Sequence, residues 1–279
     1  MYPKPFILFF LIFSLFLTSC REIPLIITPI EAISSENELE TANILIEEFG
    51  GVRCVGCPAG HSLIKEMKSI YKEKLVVISV HTGSFSIPYS ENKFDYRLPE
   101  NDQLINELGK PIGYPVATIN RKLFDGESSR MLSPTQWPGY LAKVISQKTA
   151  LKIEINPSYN AGLNNLTFTT NIKLTRDTIL PNLYLSLLLV EDNITDYQLT
   201  PTGKQPDYVH QNVLRYWFTP SSGIFLSKLS SKENLPFSYN FILPSLWNTN
   251  NLRIIAIIQK KESNTFDVVF CNHVLEHIP

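Results

Sequence analysis

The chain has 279 residues, more than one typical domain holds, and 44% hydrophobic against 18% charged residues suits packed cores and excludes a disordered chain. A formal charge of −1 removes the electrostatic case for nucleic acid or an anionic membrane as the main partner. Four cysteines are too few for a disulfide-stapled scaffold, so their placement carries the information.

Lys4 is the one charge ahead of an apolar run from Phe6 to Leu17 that only Ser14 interrupts. The run is shorter than the roughly 20 residues of a membrane span, but it fits a secretory h-region. Leu17-Thr18-Ser19-Cys20 follows and resembles a bacterial lipobox. That resemblance implies acylation of Cys20, removal of the signal segment over 1–20, and a body anchored by its lipid. A plain cleaved signal with an incidental cysteine is the alternative. Arg21, standing where Asp would retain a lipoprotein at the inner membrane, implies onward sorting. The compartment is then oxidising. Residues 21–41 mix Pro, Ser and Glu with a few aliphatics and read as a tether.

From Asn43 the pattern is α/β. Ile44 to Phe49 reads as a short apolar strand, followed by Gly50-Gly51 and Cys54-Val55-Gly56-Cys57-Pro58. Leu63, Ile64, Met67, Ile70 and Tyr71 keep helical spacing, with Pro58 in the first turn and Lys72 and Lys74 at the negative end. Leu75 to Val80 reads as a buried strand. Asp102 is placed to cap a short helix bearing Leu104, Ile105 and Leu108, which Gly109 stops. Val116 to Ile119 and Lys122 to Phe124 read as paired strands about an Asn120-Arg121 turn. Ser133-Pro134-Thr135-Gln136 is a capping box, and Trp137, Tyr140, Leu141, Val144 and Ile145 form the helical face after it.

After Ala150 the period becomes two. Leu151, Ile153 and Ile155 alternate with polar residues, as do Leu166, Phe168, Thr170, Ile172 and Leu174. Leu183 to Val190, Val209 to Phe218, Phe237 to Leu243, Leu252 to Ile258 and Phe266 to Cys271 complete about seven strands. A single sheet would leave one apolar face in water, so the expectation is an α/β domain over 42–150 followed by an all-β sandwich of immunoglobulin-like kind over 151–279.

Chemistry concentrates at Cys54-x-x-Cys57, after a strand and at a helix start. Free N–H groups and the positive helix end there stabilise a thiolate. Cys54 is expected to be the exposed nucleophile and Cys57 the resolving thiol. A structural disulfide stapling the helix start is the competing reading. Zinc, with His61 four residues on, lacks a second ligand pair, and Pro58 stands where covalent haem needs a histidine.

These residues resemble the thioredoxin superfamily. The resemblance makes Ile44-Leu45-Ile46-Glu47-Glu48-Phe49 the central strand and Glu48, six residues before Cys54, the buried acid that relays the proton of Cys57. It makes Gly113-Tyr114-Pro115 a cis-proline loop whose Tyr114 backbone pairs with an extended substrate. Two departures stand out: Arg53 replaces the usual tryptophan, and Val55-Gly56 separates the cysteines. Arg53 is a candidate to favour the thiolate electrostatically. The residues from Ser84 to Glu100, with Pro88, Tyr89, Phe94 and Tyr96, form a long insert placed to cover or shape the site. Glu47 or Glu48 at a solvent-facing strand end, and a trans Pro115, are the plain alternatives.

A narrower resemblance lies in Glu47 to His61 (EEFGGVRCVGCPAGH) and in His210-Gln211-Asn212-Val213-Leu214-Arg215. Both are similar to segments of the Bacteroidota outer-membrane lipoproteins related to the 28-kilodalton outer membrane protein. Membership implies an outer-membrane location, a thioredoxin-like domain and a β-rich second region, and supplies no substrate. The function expected is thiol–disulfide exchange on envelope proteins bearing thiols or disulfides. The rivals are a non-enzymatic surface binding protein with a structural Cys54–Cys57 bridge and an accessory subunit of a larger assembly. No cofactor or resident metal is expected, nor any nucleic-acid partner. Cys271, His273 and His277 have ligand types, but Cys271 reads better as a strand cysteine. Trp217, Phe218, Tyr239 and Trp247 read as sandwich core or as a sugar or protein platform. Asp177-Thr178-Ile179 resembles a Bacteroidota O-glycosylation motif. No G-x-S-x-G or phosphate-binding glycine loop is present.

Overall fold

The computed structural model describes residues 39–279 except 227, 231–233, 263–264, 274–277 and 279. The expected signal segment, Cys20 and nearly all of the tether lie outside them, as does His277. The described residues fall within one compact unit, Glu36–Pro279.

β1 (Ile44–Gly50) and β2 (Leu75–His81) run parallel, joined by α1 (Cys57–Tyr71). β3 (Val116–Ile119) pairs antiparallel with the other side of β1, reached through α2 (Pro99–Leu108) and followed by α3 (Trp137–Val144). Every residue of β1 and β2 is buried, because both sheet faces are covered. Leu45, Phe49, Val76, Ile78 and Val80 meet Leu104, Ile105 and Leu108 of α2 on one face. Ile44, Ile46, Leu75 and Val77 meet Ile64 and Met67 of α1 and Trp137 and Leu141 of α3 on the other. Each such aliphatic side chain contributes about 1.5–3 kcal/mol by leaving water.

Beyond the expected boundary at Ala150 the strands divide between two sheets. β4 (Leu151–Asn160), β5 (Asn165–Leu174) and β10 (Leu235–Ile242) form a three-stranded antiparallel sheet in the order β10-β5-β4. Four other downstream strands instead extend the sheet of β1 and β2. They are β6 (Leu183–Glu191), β9 (Val213–Trp217), β11 (Leu252–Glu262) and β12 (Thr265–His273). The large sheet reads β12-β11-β6-β9-β2-β1-β3, with Ile224–Phe225 added beside β6. Its seam is the parallel pairing of β9 with β2, Val213 opposite Ser79, with the Ser79 N–H donating to the Asn212 carbonyl at 2.7 Å. Face alternation continues across the seam: Leu188, Val190, Ile255 and Ile257 join the α2 core, while Leu185, Leu187, Ile254 and Ala256 pack on Ile153, Phe168 and Ile172 of the small sheet. The strands of 151–279 thus lie in two packed layers, one of which is continuous with the sheet of β1 and β2 rather than independent of it.

Local expectations fare unevenly. The capping box of Ser133 and Gln136 is present. Asp102 does not cap α2; it accepts a hydrogen bond from the Thr82 hydroxyl at 2.9 Å, and the helix begins earlier, at Pro99. Lys122 to Phe124 is not a strand. Asn120 and Arg121 both take positive φ, 50° and 53°, and Ala117 bridges to Leu132 instead. Ile70 lies 69% exposed rather than on the buried helical face. The single strand expected from Val209 to Phe218 is two, broken at Asn212 with φ 55°. Its first part belongs to a hairpin of β7 (Ile194–Thr200) and β8 (Gly203–His210).

Candidate active site

β1 carries Glu48 and Gly50 to the sheet end where the chain turns into α1. Gly56 precedes that helix with no side-chain cap, Pro58 sits in its first turn, and no acidic residue is present there. The positive helix end is therefore uncompensated where the cysteines stand. Cys54 and Cys57 are joined in a disulfide, their Cα atoms 5.4 Å apart.

Cys54 is not the exposed residue expected from the sequence: it is 2% accessible and Cys57 0%. Two segments cover them. From the hairpin, the buried Gln198 side-chain amide donates to the carbonyls of Cys54 and Gly51, at 3.0 and 3.3 Å, and the Leu199 N–H donates to Val52. From the insert, the Phe85 carbonyl accepts the Arg53 N–H at 2.9 Å. Gly51 is needed there, since a Cβ would stand 2.3 Å from the Phe85 oxygen. Arg53 itself is engaged with the insert: its guanidinium donates to Ile87 and Pro88 carbonyls and lies over the Tyr89 ring. Its expected role beside the thiolate gives way to holding this segment.

The Tyr114-Pro115 peptide bond is cis. Pro115 packs on the start of α1, where a Cβ at Gly56 or Gly60 would meet its ring at 3.3 or 3.0 Å. Tyr114 stands edge-on to Phe85, ring centroids 5.6 Å apart, and its phenol pKa is raised, chiefly by burial.

Neither glutamate of β1 faces solvent; Glu47 is 1% and Glu48 0% exposed. Arg121 clamps Glu47 through both carboxylate oxygens, at 2.8 and 2.6 Å, and Thr118 adds a third hydrogen bond. Glu48 differs. Its Oε2 accepts from the Ser79 hydroxyl at 3.0 Å and lies 3.6 Å from His61 Nε2. Its Oε1 has no hydrogen-bond partner among the described residues. A Cβ added to Gly50 would be 2.9 Å from that Oε1 and 2.6 Å from Cys57 Sγ, so the glycine gap opens the carboxylate toward the sulfur.

The other ring nitrogen of His61 lies 2.6 Å from the Tyr208 hydroxyl on β8. Burial, then the Glu48 charge, pushes the Tyr208 pKa up to about 12. A cavity of about 530 Å³ opens beside these groups, lined by Glu48, His61, Ser79, Lys68, Tyr208 and Asn212 among others. Lys68 donates to Asn212 at 3.3 Å, and its pKa is lowered, burial being the main cause. Next to Tyr208, His81, Tyr96 and His210 form a buried ring cluster. Burial lowers the His81 pKa well below its usual value and that of His210 to about 4. No group of three or more metal-ligating side chains occurs among the described residues.

The structure thus gathers Glu48, Cys54, Cys57 and the Tyr114-Pro115 loop, while Cys20 lies outside it. In the sequence, His61 stands out only as a candidate zinc ligand, and no signal marks Ser79, Gln198 or Tyr208. His61 and Tyr208 are 147 residues apart, and no local pattern announces such a contact. Trp217 is core, its indole N–H donating to Asn101, whereas Phe218, Tyr239 and Trp247 are half-buried against the small-sheet core.

Among solved structures, HBP35 of Porphyromonas gingivalis shares the fold, with TM-score 0.66 and 18% identity over 84% of this chain and 75% of that one. Protein AGR_C_4864 from Agrobacterium tumefaciens gives TM-score 0.51 at 12% identity, over 85% and 95%. A domain of the outer membrane lipoprotein Omp28 from Porphyromonas gingivalis matches 47% of this chain and 90% of that one, at 18% identity and TM-score 0.32. A search by sequence among curated proteins returns no match. No helix among the described residues is long and apolar enough to cross a membrane. The profile of the family described as outer membrane protein Omp28 matches residues 101–273, more than half of the chain, beginning downstream of the two cysteines. The chain belongs to the Omp28 family and is an outer membrane protein.

Proposed function

We propose that this outer membrane protein carries out thiol–disulfide exchange on other envelope proteins, from a lipid anchor on Cys20 and with residues 42–150 as its thioredoxin-like part. The observation that carries the reading is the buried Glu48 carboxylate, with one oxygen unpartnered among the described residues and open toward Cys57 Sγ. A purely structural disulfide has no use for a charged group left half-satisfied beside it. In the oxidising direction a substrate thiolate attacks Cys54 Sγ, the Cys54–Cys57 bond breaks, and Cys57 leaves as a thiolate that takes a proton. A second substrate thiolate then displaces Cys54, so the substrate loses two electrons and the site gains them. Reduction of a substrate is the same sequence reversed.

The burial of both sulfurs favours a second reading, in which the disulfide only pins the start of α1 and the protein binds partners without redox chemistry. Cys57→Ser separates the two: exchange predicts mixed disulfides with envelope proteins trapped on Cys54, and none in Cys54→Ser. The structural reading predicts two variants equally destabilised and equally silent. The reduction potential separates them independently, since structural disulfides fall below about −300 mV.

A further inference from the structure

We infer that His61, oriented by Tyr208, is the proton exit of the resolving cysteine, acting through Glu48; the inference rests on the thiol–disulfide reading above. A carboxylate that takes the Cys57 proton at Oε1 is sealed from water on that side, with 0% residue exposure. Its other oxygen faces His61 Nε2 at 3.6 Å, and the imidazole is part-exposed, with 24% of its side chain accessible. The cavity of about 530 Å³ reaches this same pair from solvent. Tyr208 holds the other ring nitrogen, and the direction of that hydrogen bond sets which nitrogen is free to receive the proton. With the Nδ1–H donated to the Tyr208 oxygen at 2.6 Å, the lone pair of Nε2 points at Glu48. The phenol, held protonated by its raised pKa, keeps its own proton to pass on.

In a mixed disulfide on Cys54, the Cys57 thiol gives its proton to Glu48 Oε1 and its sulfur attacks Cys54 Sγ. The bond from Cys54 to the substrate breaks, the Cys54–Cys57 bond forms, and the substrate leaves as a thiolate carrying the electron pair. The carboxyl group turns over and passes its proton to His61 Nε2. The imidazolium yields its Nδ1 proton to Tyr208 as the phenol releases one to solvent in the cavity. Opening of the disulfide by the next thiol runs the chain backwards, so each full cycle restores the starting tautomer.

His61 touches no reacting sulfur and is a positioning residue. Its two partners come from different parts of the chain, Glu48 from β1 and Tyr208 from the hairpin that also covers Cys54. This gives the downstream region a part in the chemistry.

The test is single-turnover reaction of the reduced full-length protein with an aromatic disulfide, which releases one aromatic thiol as Cys54 is captured and a second as Cys57 resolves it. His61→Ala is expected to leave the first release unchanged and to slow the second about tenfold. Added imidazole, small enough for the cavity, is expected to restore the second rate. Tyr208→Phe, which keeps the ring in place, slows the same phase by a smaller factor and guards against misfolding of the alanine variant. A second phase unchanged in both variants, or slowed with no response to imidazole, overturns the proton exit while leaving exchange standing. Wild-type protein that releases no thiol beyond a Cys54→Ser control removes exchange and the proton exit together.

Discussion

Glu47 and Glu48 are neighbours on one strand, equally buried, and point to opposite faces of the same sheet. On the Glu47 side the charge is closed off: Arg121 holds both oxygens and its remaining arm reaches the Gln259 side chain at 2.7 Å. On the Glu48 side the charge is left open, with one oxygen unpartnered among the described residues, a histidine at ion-pair distance and a cavity alongside. Burial of a carboxylate is common to both. Incomplete satisfaction is what separates a candidate for proton transfer from a structural clamp.

The largest test of this contrast breaks the closed side. Arg121→Ala strands the Glu47 charge in the core and should lower unfolding free energy by about 3–5 kcal/mol in urea titrations. Replacing the pair by Glu47→Leu with Arg121→Met should cost far less, because no uncompensated charge remains. A single-variant loss near zero would show that the clamp does not hold Glu47 in place.

On the open side, acid is the probe. His81 and His210, whose Nδ1 atoms have no hydrogen-bond partner among the described residues, sit in the ring cluster that adjoins Tyr208, and burial depresses both pKa values. A histidine whose folded pKa lies below the unfolded value of 6.5 costs nothing above that pH. As pH falls from about 6.5 the unfolded state binds the proton first, so stability declines until the folded pKa, about 4 for His210, is passed. The loss by pH 5 should reach about 2 kcal/mol for His210, and His210→Phe should flatten the slope. An unaltered slope in that variant would mean the ring is not held neutral.

Gly50→Ala then tests whether the gap between Glu48 and the disulfide is real. The methyl would press on Cys57 Sγ and Glu48 Oε1, and the disulfide tethers the sulfur, so a loss of about 1–3 kcal/mol is expected by thermal melting. The smallest stability effect belongs to Glu48→Gln, within about 1 kcal/mol, since no ion pair as close as that of Glu47 is lost. Its signature is kinetic: release of a mixed disulfide slows while its formation does not. Equal slowing of both would remove Glu48 from the resolving step.

What the sequence made legible was local. Cys54, Cys57, the offset of Glu48 and the loop at Pro115 could be named because strand, turn and helix start are encoded within a few residues of each. The Ser133 capping box was readable for the same reason. Lys122 to Phe124 misled because the inward pull of Arg121 onto Glu47 and Gln259 settles that turn, and both partners are distant in sequence. The seam of β9 on β2 was invisible too. Period-two alternation says that a strand has two faces and says nothing about which neighbour it will take.

That seam has a further consequence. β9 meets β2 at the single pair Val213–Ser79, so without it the backbone of Ser79 would stand open within a mostly apolar, wholly buried strand, Leu75 to His81. Such an edge is a template for intermolecular pairing, and this one carries neither a proline nor a lysine to blunt it. The downstream strands thus serve as the edge guard of the upstream ones. A fragment ended at residue 150 should therefore form oligomers or aggregates rather than a small soluble redox module.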